Sequence, residues 1–139
     1  MEDKQLKKQY LKKQMTFGRL IKKLKKVLKR YKTENKDIPH IQLDFGDFSP
    51  YNNFNCYRGN YADVAIGFQD GNCLLSDFLE YCEDALFCEC TCRKSDIMTI
   101  EKDSLVWFSE DNHVNTRTAL IDVVDMGYYV LLITRYKIY

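Results

Sequence analysis

Phe17-Gly18-Arg19-Leu20-Ile21-Lys22-Lys23-Leu24-Lys25-Lys26-Val27-Leu28-Lys29-Arg30-Tyr31 is the stretch whose reading decides the fold. Phe17, Leu20, Ile21, Leu24, Val27, Leu28 and Tyr31 recur at the i, i+3, i+4, i+7 spacing of an amphipathic helix. The faces between them are nearly all lysine. A stripe this regular predicts a helix laid on an apolar surface, with its cations turned to water. Thr16 is the N-cap candidate, and Arg19 stands where a capping box would place glutamate. Thr33 to Pro39 is polar and ends the helix.

Beyond the helix the period falls to two. Ile41, Leu43 and Phe45 alternate with His40, Gln42 and Asp44, which predicts a half-buried strand. Gly46 to Asn53 is rich in turn formers and reads as a loop. Ala62 to Phe68 reads as a strand, and Leu75, Phe78, Leu79, Cys82 and Leu86 mark one face of a second, acidic helix. Phe87 to Cys92 reads as extended, and Leu105 to Ser109 as a strand carrying Trp107. Ala119 to Val124 and Tyr128 to Thr134 flank Asp125-Met126-Gly127, a hairpin signal. The expectation is an α+β domain with two helices on a mostly antiparallel sheet of about five strands, without parallel crossovers. Residues 16–139 form that single domain, and residues 1–15 are a basic N-terminal helical arm.

The charge is segregated. Residues 1–36 carry 14 Lys and Arg against 3 Asp and Glu, while the remaining 103 residues carry 7 against 17. The formal net charge of +1 hides this split, which calls for contact with an oppositely charged surface, internal or foreign. No apolar run approaches the roughly 20 residues of a membrane span. No secretory leader is visible at the start, so the six cysteines are expected to be reduced thiols in the cytoplasm.

Three constellations carry chemistry. Tyr57-Arg58-Gly59-Asn60-Tyr61 offers a guanidinium fork and two stacking rings, suited to a nucleotide, a phosphate or a carboxylate. The bland alternative pairs Arg58 with Asp44, Asp47 or Asp63 and uses the tyrosines as core. Lys7, Lys8, Lys12 and Lys13 of the arm suit a phosphate backbone or an acidic protein groove, or else form a solvated tail. Cys88, Cys90 and Cys92 would lie on one face of a strand about 7 Å apart, too wide to share one tetrahedral metal ion. His40 and His113, the only histidines, lie near no recognisable nucleophile motif. No cofactor motif is present, so no catalytic residue, metal or cofactor is assigned.

Three segments resemble a family of small proteins encoded by tailed bacteriophages. They are Thr16-Phe17-Gly18-Arg19-Leu20-Ile21-Lys22-Lys23-Leu24, Cys56-Tyr57-Arg58-Gly59-Asn60-Tyr61-Ala62-Asp63-Val64-Ala65 and Asp103-Ser104-Leu105-Val106-Trp107-Phe108. Cys56 stands in the usual serine place of a Ser-Tyr-Arg-Gly-x-Tyr signature. Arg93-Lys94-Ser95 replaces a Lys-Gly-Gly-like loop, and residues 1–15 are an addition. The resemblance covers about residues 16–134. It implies an accessory protein made during infection, acting in the host cytoplasm, and supplies no reaction. The leading expectation is a non-enzymatic inhibitor or sequestering protein for a host component such as an antiviral defence complex. The alternatives are a nucleic-acid-binding protein using the arm and a nucleotide-signal sponge at Tyr57, Arg58 and Tyr61.

Overall fold

The computed structural model describes residues 13–57, 60–91, 97–109 and 118–136. In chain order they form α1 (Phe17–Thr33), β1 (His40–Leu43), β2 (Phe48–Tyr57), β3 (Asn60–Asp70), β4 (Cys73–Leu74) and α2 (Leu75–Ala85). Then come β5 (Glu89–Thr91), β6 (Ile97–Thr99), β7 (Val106–Phe108), β8 (Thr118–Asp125) and β9 (Tyr129–Tyr136). The main sheet has seven strands in the order β2-β3-β7-β8-β9-β1-β4, and β5 pairs with β6 in a separate ribbon. The α+β class and the two helices are as expected, but the sheet is larger than five strands. The surplus has two sources. β2 begins inside the stretch that reads as a loop, where Pro50 is tolerated because the strand lies at the sheet edge. β4 is two residues long, too short to carry a period.

The sheet is mostly antiparallel, yet β1 runs parallel to β9 and β3 parallel to β7. The chain therefore leaves β3, passes through α2 and returns in β7, a parallel crossover that the order of elements did not announce. The sheet also curls until its edges meet. The Ser49 hydroxyl on β2 donates to the Ile41 carbonyl of β1 at 2.8 Å and accepts from the Cys73 amide of β4 at 3.2 Å.

Both helices pack on one face. Phe17, Leu20, Ile21 and Leu24 join Phe78, Leu79 and Cys82 over Ile41, Val64, Ile66, Val106, Phe108 and Leu120. Residues of opposite parity, Tyr57, Ala65, Trp107, Ala119 and Ile121, make a second cluster on the other face. The chain joins the sheet before α1 begins. The Met15 amide donates to the Leu120 carbonyl at 2.8 Å, and the Met15 carbonyl accepts from the Val106 amide at 3.1 Å. Gln14 and Met15 are both buried. Of the helical arm expected over residues 1–15, residues 1–12 lie outside the described residues, and residues 13–15 are not helical.

Thr16 caps α1 by accepting from the Arg19 amide at 3.3 Å. Asn35 turns the chain beyond its other end at φ 55°, which asparagine adopts readily. Three residues tie α1 to β8. Lys23 reaches Asp122 at 2.5 Å, Arg30 pairs with Asp125, and the Tyr31 hydroxyl donates to Asp125 at 2.7 Å. Exposed ion pairs contribute about 0–1 kcal/mol each, whereas a fully buried Phe or Leu contributes roughly 1.5–3 kcal/mol. The apolar stripe therefore holds the helix, and the polar ties set its angle.

Asp125 links this geometry to pH. Burial pushes its carboxyl up, but the Tyr31 hydroxyl, the Gly127 amide and Arg30 outweigh it and hold it below the usual value. Its stabilisation is complete above the ordinary carboxylate range of about 4 and is lost as pH falls through and below that range. Burial, and then Asp125, push the Tyr31 hydroxyl up to about 12. That contribution is complete below pH 10.0 and is lost between there and about 12. Tyr31→Phe should lower stability in urea unfolding at pH 7 by about 1.5–3 kcal/mol, the range for hydrogen bonds to charged groups. The difference from the parent should shrink below pH 4.

Candidate partner-binding groove

Of the signature residues, Tyr57 packs into the sheet. Tyr57 is wholly buried and stacks on Trp107, with ring centroids 4.1 Å apart and planes at 2°. Asp63 is buried and accepts from the Trp107 indole at 3.0 Å and from the Leu105 amide at 3.2 Å. Asp44 accepts from the Thr134 amide and hydroxyl at 2.9 and 2.5 Å. Tyr57, Asp63 and Trp107 thus meet in space, and their contacts join β2, β3 and β7. Arg58, Lys7, Lys8 and Lys12 lie outside the described residues, as does the side chain of Tyr61. Lys13 is exposed where the described chain begins.

Two cysteines are held as thiols by their surroundings. Burial, and then the charge of Asp77, push the Cys73 thiol up to about 11, and burial drives Cys82 well upward. Both stay protonated and poorly nucleophilic at neutral pH. The exposed Cys88 thiol donates to the Asp84 carbonyl at 2.9 Å, and the Cys90 thiol faces the Phe54 carbonyl at 3.9 Å. Cys92 and His113 lie outside the described residues, and His40 is exposed at the start of β1. Among the described residues no three His, Cys, Asp or Glu side chains are grouped to hold a metal ion.

A different surface has the shape and charge of a site. An open groove of about 920 Å³ runs along the outer side of α1. Among the described residues its walls carry six cations, Arg19, Lys22, Lys23, Lys25, Lys26 and Lys102, and no acidic residue. Ile21, Leu86 and Phe87 supply the apolar part. Lys23 is paired with Asp122, and Lys25 with Glu83 of α2 at 3.4 Å. Arg19, Lys22, Lys26 and Lys102 are exposed and make no ion pair among the described residues.

Gly18 explains how Lys102 reaches this groove. Its amide donates to the Lys102 carbonyl at 2.8 Å. A Cβ at Gly18 would lie 2.9 Å from Lys102 Cβ and 3.0 Å from its carbonyl oxygen. Only glycine lets the turn around Lys102 sit this close. The first two amides of α1 are occupied by the Ser104 and Lys102 carbonyls, so an anion here meets side chains, not a free helix terminus.

The cations of α1 are visible in the sequence, where they read as a solvated face. Lys102 and Phe87 are not visible as site residues, because the fold alone carries them to the groove.

No protein-family model, curated protein or solved structure matches the chain. The groove is therefore read on its own chemistry. Because Tyr57 is structural, Tyr57→Ala should cost about 3–5 kcal/mol, the range for truncating a buried aromatic. Urea unfolding followed by Trp107 fluorescence checks this in the absence of any ligand.

Proposed function

We propose that this chain is a non-enzymatic binding protein that captures an acidic protein partner in the lysine-walled groove of α1. The observation that carries the reading is the wall itself, which among the described residues holds six cations and no carboxylate around an apolar floor. Unpaired charge of one sign raises the local concentration of the opposite sign and steers association, while the apolar floor supplies contact area that charge alone does not. In the setting that the sequence resemblance implies, the partner is a host protein or complex, and capture inhibits or sequesters it.

Nucleic acid is the competing ligand, since lysines beside an exposed phenylalanine also suit a stacked strand. The flank argues against it. Glu80 and Glu83 are exposed on neighbouring turns of α2, and the Lys25–Glu83 pair places Glu83 beside the groove. A polyphosphate long enough to bind well runs onto these carboxylates, whereas a compact acidic segment does not. The nucleotide-sponge reading gains nothing from Tyr57, whose ring is covered.

The test is fluorescence anisotropy with two labelled probes, an acidic amphipathic peptide of about 15 residues and a single-stranded oligonucleotide of similar length, at roughly 50 and 200 mM salt. The peptide should bind the tighter. Combining Arg19→Glu, Lys22→Glu and Lys26→Glu should weaken peptide binding by about tenfold or more, with the circular dichroism unchanged. Three results would overturn the reading: no peptide binding, tighter oligonucleotide binding with a steep salt slope, or a homodimer that the triple variant abolishes.

A further inference from the structure

Phe87 sits where a helix normally places glycine. It follows Leu86, the C-cap of α2, and adopts φ 68°. Among the described residues only Asn35 and Phe87 hold a positive φ without being glycine. Asparagine is at home there, but phenylalanine crowds its Cβ against the following carbonyl. The backbone is pinned in that state by the Phe87 amide, which donates to the Ile100 carbonyl at 2.7 Å, and by the Ile100 amide, which donates to the Cys88 carbonyl at 2.9 Å. The strain gains the fold no burial, since Phe87 remains 62% exposed. Phe87 instead lines the groove together with half-buried Leu86 and the exposed Arg19, Lys22, Lys26 and Lys102.

A strained, exposed aromatic amid unpaired cations is a poor choice for stability and a good one for binding. Resting on the groove reading, we infer that Phe87 is the anchor of the site, and that its partner is an acidic segment presenting one large apolar side chain between carboxylates. The apolar side chain covers the Phe87 ring and excludes water. The carboxylates then meet Arg19, Lys22 and Lys26, which lie at i, i+3 and i+7 on α1. The seven residue steps from Arg19 to Lys26 span about 10 Å at the rise of an α-helix, so two to three carboxylates on roughly two helical turns match them. Charge complementarity selects this occupant over a neutral apolar helix.

The experiment is a double-mutant cycle on the full chain. One probe is an acidic peptide of about 15 residues with a central Phe, and the other replaces that Phe by Ala. The parent should bind the Phe peptide about tenfold tighter. Phe87→Gly should remove that preference while leaving the melting temperature equal or higher, because glycine accepts this φ without strain. Phe87→Trp should keep the preference. Phe87→Ala, which keeps the strained φ but loses the ring, should lose the preference without gaining stability.

Two results would overturn the inference: an unchanged preference in Phe87→Gly, or a marked fall in its melting temperature, which would make Phe87 a structural residue. The Arg19, Lys22 and Lys26 reversal, run beside it, separates the two claims. If reversal weakens binding and Phe87→Gly keeps the preference for the Phe peptide, the anchor fails and the groove stands. If neither variant changes binding, the groove reading fails as well.

Discussion

A helix that buries Phe17, Leu20, Ile21, Leu24 and Tyr31 has nowhere to put its lysines except outward. This constraint orders the rest of the molecule. The stripe is one wall of the core, and the sheet beneath offers Val64, Ile66, Val106, Phe108 and Leu120 on matching parity. With the apolar face committed, Arg19, Lys22 and Lys26 must share the opposite side. The acidic body answers part of that charge, through Asp122 and Asp125 on β8 and Glu83 on α2. It leaves Arg19, Lys22 and Lys26 without an ion pair among the described residues, and the groove lies there.

The two faces of the sheet divide the labour. One carries the helices and therefore determines where charge is displayed. The other holds Tyr57, Trp107 and Asp63 in a stacked and hydrogen-bonded unit that joins three strands. A buried indole needs an acceptor, and Asp63 provides it from within the sheet. The residue pattern that looks most like a ligand site is thus partly architecture, and the surface that looks most like architecture has the character of a site.

Much of the fold was legible because its signals are local. The period of α1, the acidic face of α2 and the hairpin around Asp125-Met126-Gly127 all survive in the structure, with Gly127 at φ 95° in the turn. β2 was illegible because Pro50, Asn52 and Asn53 carry turn chemistry. In the strand, Asn53 donates to the Tyr51 hydroxyl and Asn55 to Asn53, an outward ladder that replaces the usual apolar alternation. Gly67 on β3 leaves room for it, since a Cβ there would lie 2.8 Å from the Tyr51 ring. The parallel pairings were illegible because they join residues far apart in the chain. Phe87 reads as the start of an extended stretch but adopts φ 68°, and neither it nor Lys102 is marked by the sequence as a groove residue.

The central claim is that α1 is an integral wall of the core, so that its cations are displayed by a rigid surface. Native-state hydrogen exchange at the Leu20, Ile21 and Leu24 amides tests it most directly. These amides should open only with global unfolding, with the same free energy and denaturant dependence as Val64 and Ile66 on β3. Exchange through a separate, low-energy opening of α1, with β3 still protected, would contradict the account.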